Sequence, residues 1–485
     1  MTDKTLAQDR VPFWQKVAYG FGAFTNNLLS GAVGSMGLVL NLGLGMNPAT
    51  IGLIMGSSRL TDALIDPVMG YVSDHTRTRW GRRRPFIVVG ALISGLILAL
   101  MWQMPAEHSQ RFYFWFFLIG INLFYVAFTL FAAPFIALGY ELTPDYHERI
   151  RIQGYSNIFG QIPWLLLSWS YAFMENKHLF ATNVEGARML AIIMGVTVAI
   201  LGILPGIFCR EPFYKVVLAH DEAQRNAAGF VPGLRRRVTE FFKAFFITLR
   251  ERRFLKLAAA TFLVFNGFMM ISGLGPYIII FYVFGGNQEL GARYVGWFGT
   301  ALSACTFGAI IVATWMATRW GKKRAFFIST GIAILGYVLK WFCYQPRFPL
   351  LIFIPAPFLA FGLGGLFTTV SAMIPDVCDA DELQQGVRRE GLFGAVYWWM
   401  VKLGMAVALV VSGHLLNATG FQQALGPNQL PHSLWLMRVF EVCLPILAYG
   451  LAIVSVSTYD LDQEKVEGIR VELEKRRGKT AVTTA

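Results

Sequence analysis

Three ionisable residues lie close together in one apolar stretch of the chain, residues 59–67 (RLTDALIDP). On a helix, Asp62 and Asp66 stand at i, i+4 and Arg59 stands three residues before Asp62, so the three share one face. Each would cost about 2.5–3.5 kcal/mol at membrane depth, and such groups are tolerated only toward a bundle interior or a water-filled path. An ion-pair network that only locks helices together would meet this requirement. A cation-binding site would also meet it, and we favour the cation site.

Lys402 is the one other strongly polar residue that we identify inside a span, within residues 396–407 (VYWWMVKLGMAV). A lone buried ammonium would lose its proton or find a carboxylate, so we predict that it pairs with Asp62 and Asp66. Arg59 and Lys402 would balance the two aspartates, and entry of a proton or Na⁺ would weaken the hold on Lys402. A cation would in this way alter a helix contact, as coupled transport requires. A structural salt bridge is the alternative.

Polar and aromatic residues follow helical spacing in the fourth, fifth and eleventh spans. We interpret them as facing a polar organic ligand, because amides pair donors with acceptors and an indole offers a flat surface to a sugar ring. The alternative is that each residue only joins neighbouring helices. The predicted substrate residues from these spans are Tyr125, Asn157, Gln161, Trp164 and Trp398.

The composition is that of a membrane protein with many spans. The 485 residues are 55% hydrophobic and 15% charged, with a mean hydropathy of +0.50, which is too apolar for a soluble protein. Twelve apolar stretches predict an all-α protein of twelve transmembrane helices. The net charge of +13 does not indicate a nucleic-acid partner, because the basic residues occur in short segments between the spans.

Lysine and arginine are distributed unevenly among the loops. Residues 41–46 and 417–431, after odd-numbered spans, contain none, whereas the loops after the second, fourth and eighth spans contain several. Because basic residues mark cytoplasmic loops, we predict a multi-pass protein of the inner membrane with both termini in the cytoplasm. The five cysteines are scattered, so we expect no disulfide. We also expect no cofactor, and no metal apart from Na⁺ at Asp62 and Asp66 as an alternative.

A repeat divides the chain into two halves. Residues 79–86 (RWGRRRPF) recur as 319–326 (RWGKKRAF), each time after the second span of a half, and this predicts two six-helix halves. The predicted domains are residues 1–208, a basic linker 209–253, residues 254–457, and a mobile charged tail 458–485. An amphipathic helix over 238–253 would lie either on lipid headgroups or against the two halves.

These residues resemble the glycoside–pentoside–hexuronide:cation symporters, a branch of the major facilitator superfamily that includes the melibiose permeases. The resemblance runs from Lys16 to about Val411. Its motifs are Arg59-x-x-Asp62-x-x-x-Asp66-Pro67, Asp376-x-x-Asp379-x-x-Glu382, Arg388-x-Glu390-Gly391 and Val401-Lys402-x-Gly404. Residues 81–86 also look like the proton-coupled sucrose carriers. The resemblance implies a major facilitator fold that imports a sugar or glycoside with a cation by alternating access, without enzymatic activity.

The resemblance also implies roles for individual residues. The matching coupling-cation residues are Asp62, Asp66, Lys402 and the fourth-helix Thr129, with Arg59 in the same cluster. The matching loop residues, which we predict to act in conformational gating, are Arg82, Arg83, Arg84, Asp376, Asp379, Glu382, Arg388 and Glu390.

Other positions depart from the family pattern. Melibiose permeases bind the galactosyl group with two aspartates and an arginine, and the matching positions here are Asn27, Ala132 and Asn157. We therefore predict a neutral substrate, a glycoside in our preferred interpretation, held by Asn27, Asn157 and Gln161 and stacked on Trp398. Ile65 stands where relatives have an asparagine, which removes an oxygen that Na⁺ would use. We favour H⁺ as the coupling ion, with Na⁺ as the alternative.

Two further functions stay open at this point. A carrier of lysolipid or another amphiphile would need an apolar slot, which Gly31, Gly34 and Gly37 would leave beside the first helix. A membrane receptor or scaffold with the same fold would bind without transporting. The predicted partners are a small-molecule substrate and the lipid bilayer, and we expect the protein to act as a monomer.

Overall fold

The computed structural model describes residues 10–104, 108–143, 145–211, 248, 250–385 and 390–476. These residues form helices and contain no strand beyond one isolated bridge between Thr78 and Gly81. The α-helices are α1 (Phe13–Leu42), α2 (Pro48–His75), α3 (Arg84–Met101), α4 (Gln110–Glu141), α5 (Tyr146–Ser168), α6 (Ser170–Met174), α7 (Asn183–Phe208), α8 (Arg252–Ser272), α9 (Gly275–Tyr277), α10 (Gln288–Trp320), α11 (Lys322–Cys343), α12 (Ala356–Gln385), α13 (Glu390–Ala418), α14 (Pro431–Ser457) and α15 (Gln463–Arg476). A π-helical turn, Ile278–Val283, and two 3₁₀ turns, Pro349–Phe353 and Gln423–Leu425, complete the described structure.

Twelve of these α-helices have 18 residues or more, and they coincide with the twelve predicted spans. Within the described ranges, nine helical stretches are apolar enough to cross a membrane. The other three long helices, α1, α2 and α5, are less apolar because they carry the polar residues singled out from the sequence. Helices of this kind are stable in a membrane only when their polar faces turn toward protein or water.

Side-chain oxygens begin several of the helices. Asn47, Ser109 and Thr182 accept hydrogen bonds from the first-turn amides of α2, α4 and α7. Asn287 does the same for α10. Such caps satisfy amides that have no partner inside the helix. The loops of the chain therefore carry local signals that fix where the spans start.

The chain forms two compact units, Met1–Thr239 (unit 1) and Glu240–Ala485 (unit 2). In unit 1 the closely packed helix pairs are α1–α5, α1–α7, α2–α4, α3–α4 and α3–α7. In unit 2 they are α8–α13, α8–α14, α10–α12, α11–α12 and α11–α14. Counted by span, the five pairs of one unit are the five pairs of the other. The six-helix repeat predicted from residues 79–86 and 319–326 is therefore confirmed.

Glycine lets α3 approach its neighbours closely. A Cβ atom on Gly95 would lie 2.5 Å from the carbonyl oxygen of Gly195 on α7, and one on Gly90 would lie 2.5 Å from the backbone nitrogen of Phe131 on α4. Real side chains essentially never come this close to backbone atoms. The α3–α4 and α3–α7 contacts are therefore made between backbones, as small residues permit in membranes.

The end of the chain departs from the prediction. The tail was predicted to be mobile, which is wrong for α15, because this helix packs against α12. Leu461 and Leu473 are buried, and Val466 and Ile469 pack at the edge of the unit 2 core. Hydrogen bonds from Arg253 to Asp460 hold the preceding loop and keep the pKa of Asp460 below its ordinary value.

The predicted amphipathic helix over 238–253 lies outside the described residues, apart from residues 248 and 250–253. Of these, Arg252 already begins α8. The interpretation of the linker as a headgroup-binding or bracing helix stays a prediction.

We predict that Gly95→Ala lowers the thermal unfolding temperature, whereas Gly331→Ala leaves it unchanged or raises it. The added methyl group of the first variant has to separate the backbones of α3 and α7, at a cost of about 1–3 kcal/mol. Gly331, on α11, is the matched control because a Cβ atom there would meet nothing within 4 Å. Thermal unfolding of both purified variants in detergent measures the difference. Equal behaviour of the two would show that the close contact at Gly95 does not limit stability.

Candidate functional site

Asp62 is buried within unit 1, on α2. Its side chain accepts a 2.9 Å hydrogen bond from Oγ1 of Thr129 on α4, and the two residues expose 3% and 0% of their surface. The same hydroxyl lies 2.9 Å from the carbonyl oxygen of Tyr125. A hydroxyl has one proton, so an ionised Asp62 and the Tyr125 carbonyl compete for it. A protonated Asp62 would donate to Thr129, which leaves the hydroxyl proton for the carbonyl.

Arg59 is fixed one turn before Asp62. Its guanidinium donates to the carbonyl oxygen of Ser30 on α1, at 3.1 Å, and lies over the ring of Tyr125, 4.8 Å from the centroid. A cation over an aromatic face is attracted by the ring quadrupole. Tyr125 is 1% exposed. Its ring therefore supports Arg59, and the contact with substrate predicted for it stays a prediction.

Asp66 and Lys402 complete the charged set predicted from the sequence. Asp66 is half-buried on α2, one turn after Asp62 and directly before Pro67. Lys402 is half-buried on α13, in unit 2. The structure thus brings Arg59, Asp62 and Thr129 together in unit 1. The pairing of Lys402 with the aspartates stays a prediction.

A cavity of about 170 Å³ opens between α1, α4 and α5 of unit 1. It is lined by Tyr19, Ala23, Asn26, Asn27, Phe135, Ile136, Tyr140, Gln153, Ser156, Asn157, Gly160 and Gln161. Three of the predicted substrate residues, Asn27, Asn157 and Gln161, therefore share one cavity. Asn27 Nδ2 donates to the Gly160 carbonyl at 2.8 Å, and a Cβ atom on Gly160 would lie 2.5 Å from that nitrogen.

Other polar residues of the cavity were missed in the sequence. Oδ1 of Asn26 is buried and has no hydrogen-bond partner among the described residues, so it is an acceptor open to a ligand hydroxyl. The adjacent amides Asn26 and Asn27 inside an apolar span were the available signal. Gln153 stands one turn before Asn157, which is one turn before Gln161, so the polar face of α5 also includes Gln153.

The two predicted tryptophans lie outside this cavity. The ring of Trp164, on α5, packs near Gly31, where an added Cβ atom would lie 3.2 Å from it. Trp398 is on α13 of unit 2 and 54% exposed, and its ring stacks on Phe367 with centroids 6.0 Å apart. One face of the indole is thus already covered by protein. Stacking of a sugar on Trp398 stays a prediction.

The basic loop of unit 1 binds a carboxylate that the sequence analysis missed. The backbone amides of Arg82, Arg83 and Arg84 donate to Glu211, which follows α7, at 3.0, 3.0 and 3.1 Å. Gly81 has φ of +113°, and a Cβ atom there would lie 2.6 Å from Glu211 Oε1. Three amides at the start of α3 therefore form an anion cradle that only glycine admits.

The arginine side chains of this loop tie helix ends together. Those of Arg82 and Arg83 form salt bridges with Glu141 at the end of α4. Arg84 donates to the carbonyl oxygens of Gly206 and Ile207 at the end of α7, both at 2.7 Å. Cations at carbonyl ends of helices are favourable in charge. The loop thus joins the cytoplasmic ends predicted for three spans.

The repeated loop of unit 2 has the same arrangement. Lys322 forms a salt bridge of 2.7 Å with Asp376 of α12. Lys323 donates to the carbonyl oxygens of Ser457 and Tyr459 at the end of α14, at 3.0 and 2.6 Å. The loop residues therefore act within each unit, and a gating role stays a prediction. Asp379 and Glu382 lie half-buried on α12, whereas Arg388 and the side chain of Glu390 lie outside the described residues.

The expectation that Lys402 is the one other strongly polar residue inside a span is wrong. Lys340 of α11 and Glu441 of α14 are buried and form an ion pair of 2.6 Å in unit 2. Arg438, one turn before Glu441, donates to the hydroxyl of Tyr282 at 2.8 Å and lies over its ring. The rule that identified Lys402, a charge within an apolar stretch, would also have found these residues.

Comparison with known proteins places the chain in a family. The profile of the family described as MFS/sugar transport protein matches residues 18–463. The isoprimeverose transporter of Lactiplantibacillus pentosus is 21% identical over 467 residues, covering 94% of this chain and 91% of the relative. The sodium-dependent lysophosphatidylcholine symporter 1-A of Danio rerio is 22% identical over 487 residues, covering 94% and 87%.

Solved structures agree on the fold. The crystal structure of a D-xylose-proton symporter superposes with a TM-score of 0.55 over 90% of this chain and 95% of that one, at 15% identity. The family profile and the sequence relatives confirm the resemblance noted in the motifs. Because the family profile spans nearly the whole chain and the helices repeat six by six, the chain belongs to the MFS/sugar transport protein family, whose members are multi-pass membrane symporters of small molecules and not enzymes.

Proposed function

We propose that this protein imports a neutral sugar or glycoside across the inner membrane together with a proton, which binds at Asp62. The observation that carries the proposal is the buried hydrogen bond between Asp62 and Thr129. The three charged residues of α2, Arg59, Asp62 and Asp66, together carry −1, and the predicted partner Lys402 makes the set neutral, so one bound proton raises its charge to +1. A change of charge at buried sites gives the two conformations of a carrier different affinities for the ion, as coupling requires.

The oxygens around Asp62 favour H⁺ over Na⁺. A proton needs one carboxylate oxygen and a neighbour that accepts a hydrogen bond, and Thr129 Oγ1 is such a neighbour. Na⁺ is a hard cation that replaces its water with several oxygens, and Ile65, within the same turn of α2, offers none. Na⁺ coupling, the alternative, would need further ligands.

The lining of the cavity favours a neutral substrate. Its residues carry amides and hydroxyls and include no carboxylate, guanidinium or ammonium group among those described. Such a site would not repay the desolvation of an ionised substrate, which argues against hexuronates. Amides supply donors and acceptors in pairs, as the hydroxyls of a sugar require. The relationship to an isoprimeverose transporter supports the same substrate class.

A carrier of amphiphiles is the second candidate, because of the relationship to a lysophosphatidylcholine symporter. The slot that the sequence predicted beside the first helix is partly filled. A Cβ atom on Gly31 would lie 2.5 Å from Leu167 Cδ1, and one on Gly37 would lie 3.3 Å from Met55 Cε. Only Gly34 has open space around it. This packing favours the sugar over the amphiphile.

We also propose that the protein acts as a monomer with both termini in the cytoplasm. The charged cluster and the amide-lined cavity both lie in one unit of one chain, so no second copy is needed to build them. The uneven distribution of basic residues supports the orientation.

Reporter fusions test the orientation. A reporter inserted after Met46 should read as external, and one after Arg79 should read as cytoplasmic, because the first loop has no basic residue and the second has several. Paired alkaline phosphatase and green fluorescent protein fusions give the measurement. A cytoplasmic reading at Met46 would invert the proposed topology.

We predict that Asp62→Asn abolishes the accumulation of isoprimeverose against its gradient while downhill exchange persists. The amide cannot take up a proton at neutral pH, so the cation step is lost while the substrate cavity is intact. Uptake into everted and right-side-out vesicles measures accumulation, and counterflow measures exchange. Glu289→Gln is the matched control, because this carboxylate pairs with Arg293 on the surface of α10. Full accumulation by Asp62→Asn would return the cluster to a structural role.

The coupling ion is tested by the gradients themselves. We expect uptake to continue in Na⁺-free buffer and to stop when an uncoupler collapses the proton gradient. The reason is that Asp62 and Thr129 suffice to hold a proton, whereas Ile65 offers Na⁺ no oxygen. Uptake that needs Na⁺ at constant pH and ignores the uncoupler would assign the site to Na⁺.

We predict that Asn157→Ala and Gln161→Ala each raise the KM for the transported glycoside about tenfold, which corresponds to the loss of about one hydrogen bond. The maximal rate should change less, since neither residue belongs to the charged cluster. Gln345→Ala is the matched control, because this exposed amide lies in unit 2 and bonds only the Phe342 carbonyl among the described residues. If both variants keep the original KM while lysophosphatidylcholine is taken up, the amphiphile assignment replaces the glycoside.

A further inference from the structure

The buried ion pair of unit 2, Lys340 and Glu441, has no role in the function described so far. Its Nζ–Oε1 distance is 2.6 Å, and the residues expose 7% and 2% of their surface. Moving two charges from water into such surroundings costs several kcal/mol per ion. Replacement of buried pairs by apolar residues of similar volume is often neutral or stabilising. Stability alone therefore does not account for the pair.

The pair has unused hydrogen-bonding capacity. An ammonium carries three N–H donors, and Glu441 is the one acceptor that the described residues give to Lys340. Around it lie the rings of Phe298, Tyr337 and Tyr344, at 5.9, 5.9 and 5.3 Å from the nitrogen. The Tyr344 hydroxyl is buried and has no hydrogen-bond partner among the described residues. Open donors and acceptors of this kind suit an exchangeable proton or an ordered water.

Glu441 faces an irregular part of the seventh span. A Cβ atom on Gly275 would lie 3.3 Å from Glu441 Oε1. The chain there leaves α8 at Ser272, resumes in α9 at Gly275 and passes into the π-helical turn Ile278–Val283. Irregular turns inside helices are frequent at functional sites. Through Glu441 and Arg438, α14 thus contacts both ends of this irregular segment.

The helix contact of unit 1 that corresponds to α11–α14, which we call a seam, is built differently. It joins α3 to α7, where Gly95 and Gly195 bring the backbones together. Residues 85–101 and 189–208 contain no charged residue, so no ion pair can form along that seam. The equivalent helix pairs are therefore held differently: α3 and α7 of unit 1 meet through their backbones, and α11 and α14 of unit 2 meet through an ion pair. The fold itself does not require the pair.

We propose that Glu441 is a second proton-binding site, with Lys340 as its counter-ion. A proton from solution forms an O–H bond with one carboxylate oxygen of Glu441, Lys340 keeps its own proton, and the charge of the pair rises from zero to +1. The neutral acid attracts the ammonium far less, so the tie between α11 and α14 weakens beside Gly275. The proposal rests on the proposed proton coupling for its driving force, but the binding step needs no sugar.

The neighbouring groups leave Glu441 as the acceptor. From α11 and the turn after it, Lys340, Tyr337 and Tyr344 face the pair, and of the residues of α10 the uncharged Phe298 lies beside it. On α14 itself, Arg438 lies one turn before Glu441 and Tyr449 two turns after. The irregular segment contributes Gly275, which has no titratable group. Glu441 is thus the one carboxylate among these residues, and the tyrosines already carry their protons at neutral pH.

Infrared difference spectroscopy of the full-length protein in lipid vesicles tests the proposal. Between alkaline and mildly acidic buffer, the wild type should gain a carbonyl stretching band of a protonated carboxyl group. The component of this band that comes from Glu441 should be lost in Glu441→Gln. It should be kept in Asp62→Asn and in the surface control Glu289→Gln.

A band that Glu441→Gln leaves unchanged would overturn the proposal and make the pair a structural tie. If Glu441→Gln does not fold, the double variant Lys340→Met/Glu441→Gln, which removes both charges of the pair, must show the same loss. Hydrogen exchange of residues 275–287 supplies the second measurement. It should quicken on acidification, after correction for the intrinsic rate, in the wild type and not in the double variant. Because buffer alone drives these changes, a failure of sugar uptake leaves them unaffected, and a missing Glu441 band leaves coupling at Asp62 standing.

Discussion

A charged side chain inside a membrane span has no water to solvate it, so it has to find a partner within the protein. Several buried polar contacts of this chain follow from that constraint. Asp62 is bonded by Thr129, and Arg59 is held between a carbonyl of α1 and the ring of Tyr125. In unit 2, Lys340 is paired with Glu441. Each partner lies on another helix, so the charges also determine which helices stay together, and any change of protonation acts directly on helix packing.

The repeat separates what the fold needs from what the chemistry needs. Both units use the same five helix pairs, and in both a basic loop ties the start of the third helix to the fourth and sixth. Because these contacts occur in both units, they account for the shared fold. The Asp62 cluster of unit 1 and the buried Lys340–Glu441 pair of unit 2 have no charged counterparts at the matching positions, 240 residues away in the sequence. The features without a counterpart are therefore where function has to be sought.

Sequence reasoning was strongest where the signal is local. Hydropathy located the twelve long helices, and the repeated loop predicted the two halves. The spacing of Asp62 and Asp66 marked the charged face of α2, and the stripe on α5 marked residues of one cavity. Sequence reasoning missed the contacts between residues that lie far apart in the chain. Glu211 binds amides more than a hundred residues earlier, and Lys340 and Glu441 are separated by 101 positions. No periodicity links such residues, since only the packing of helices brings them together. The docking of α15 was missed for a related reason, because a charged helix needs only a few apolar residues to pack against a neighbour.

The two ways of closing equivalent helix seams have different mechanical consequences. Backbone contact through Gly95 and Gly195 has one good arrangement, because dispersion forces fall off within a fraction of an ångström and a shifted seam leaves voids. An ion pair has two arrangements with different energies, depending on whether its carboxylate carries a proton. Unit 1 has the rigid seam and places the titratable carboxylate at α2, where it faces α4. Unit 2 has the charged seam, beside the irregular turn of its first span. In each unit, then, the carboxylate to which we assign a proton lies at a contact between helices, Asp62 against α4 and Glu441 against α11, and a proton bound there would change the strength of that contact. The contacts made of backbone alone do not depend on protonation.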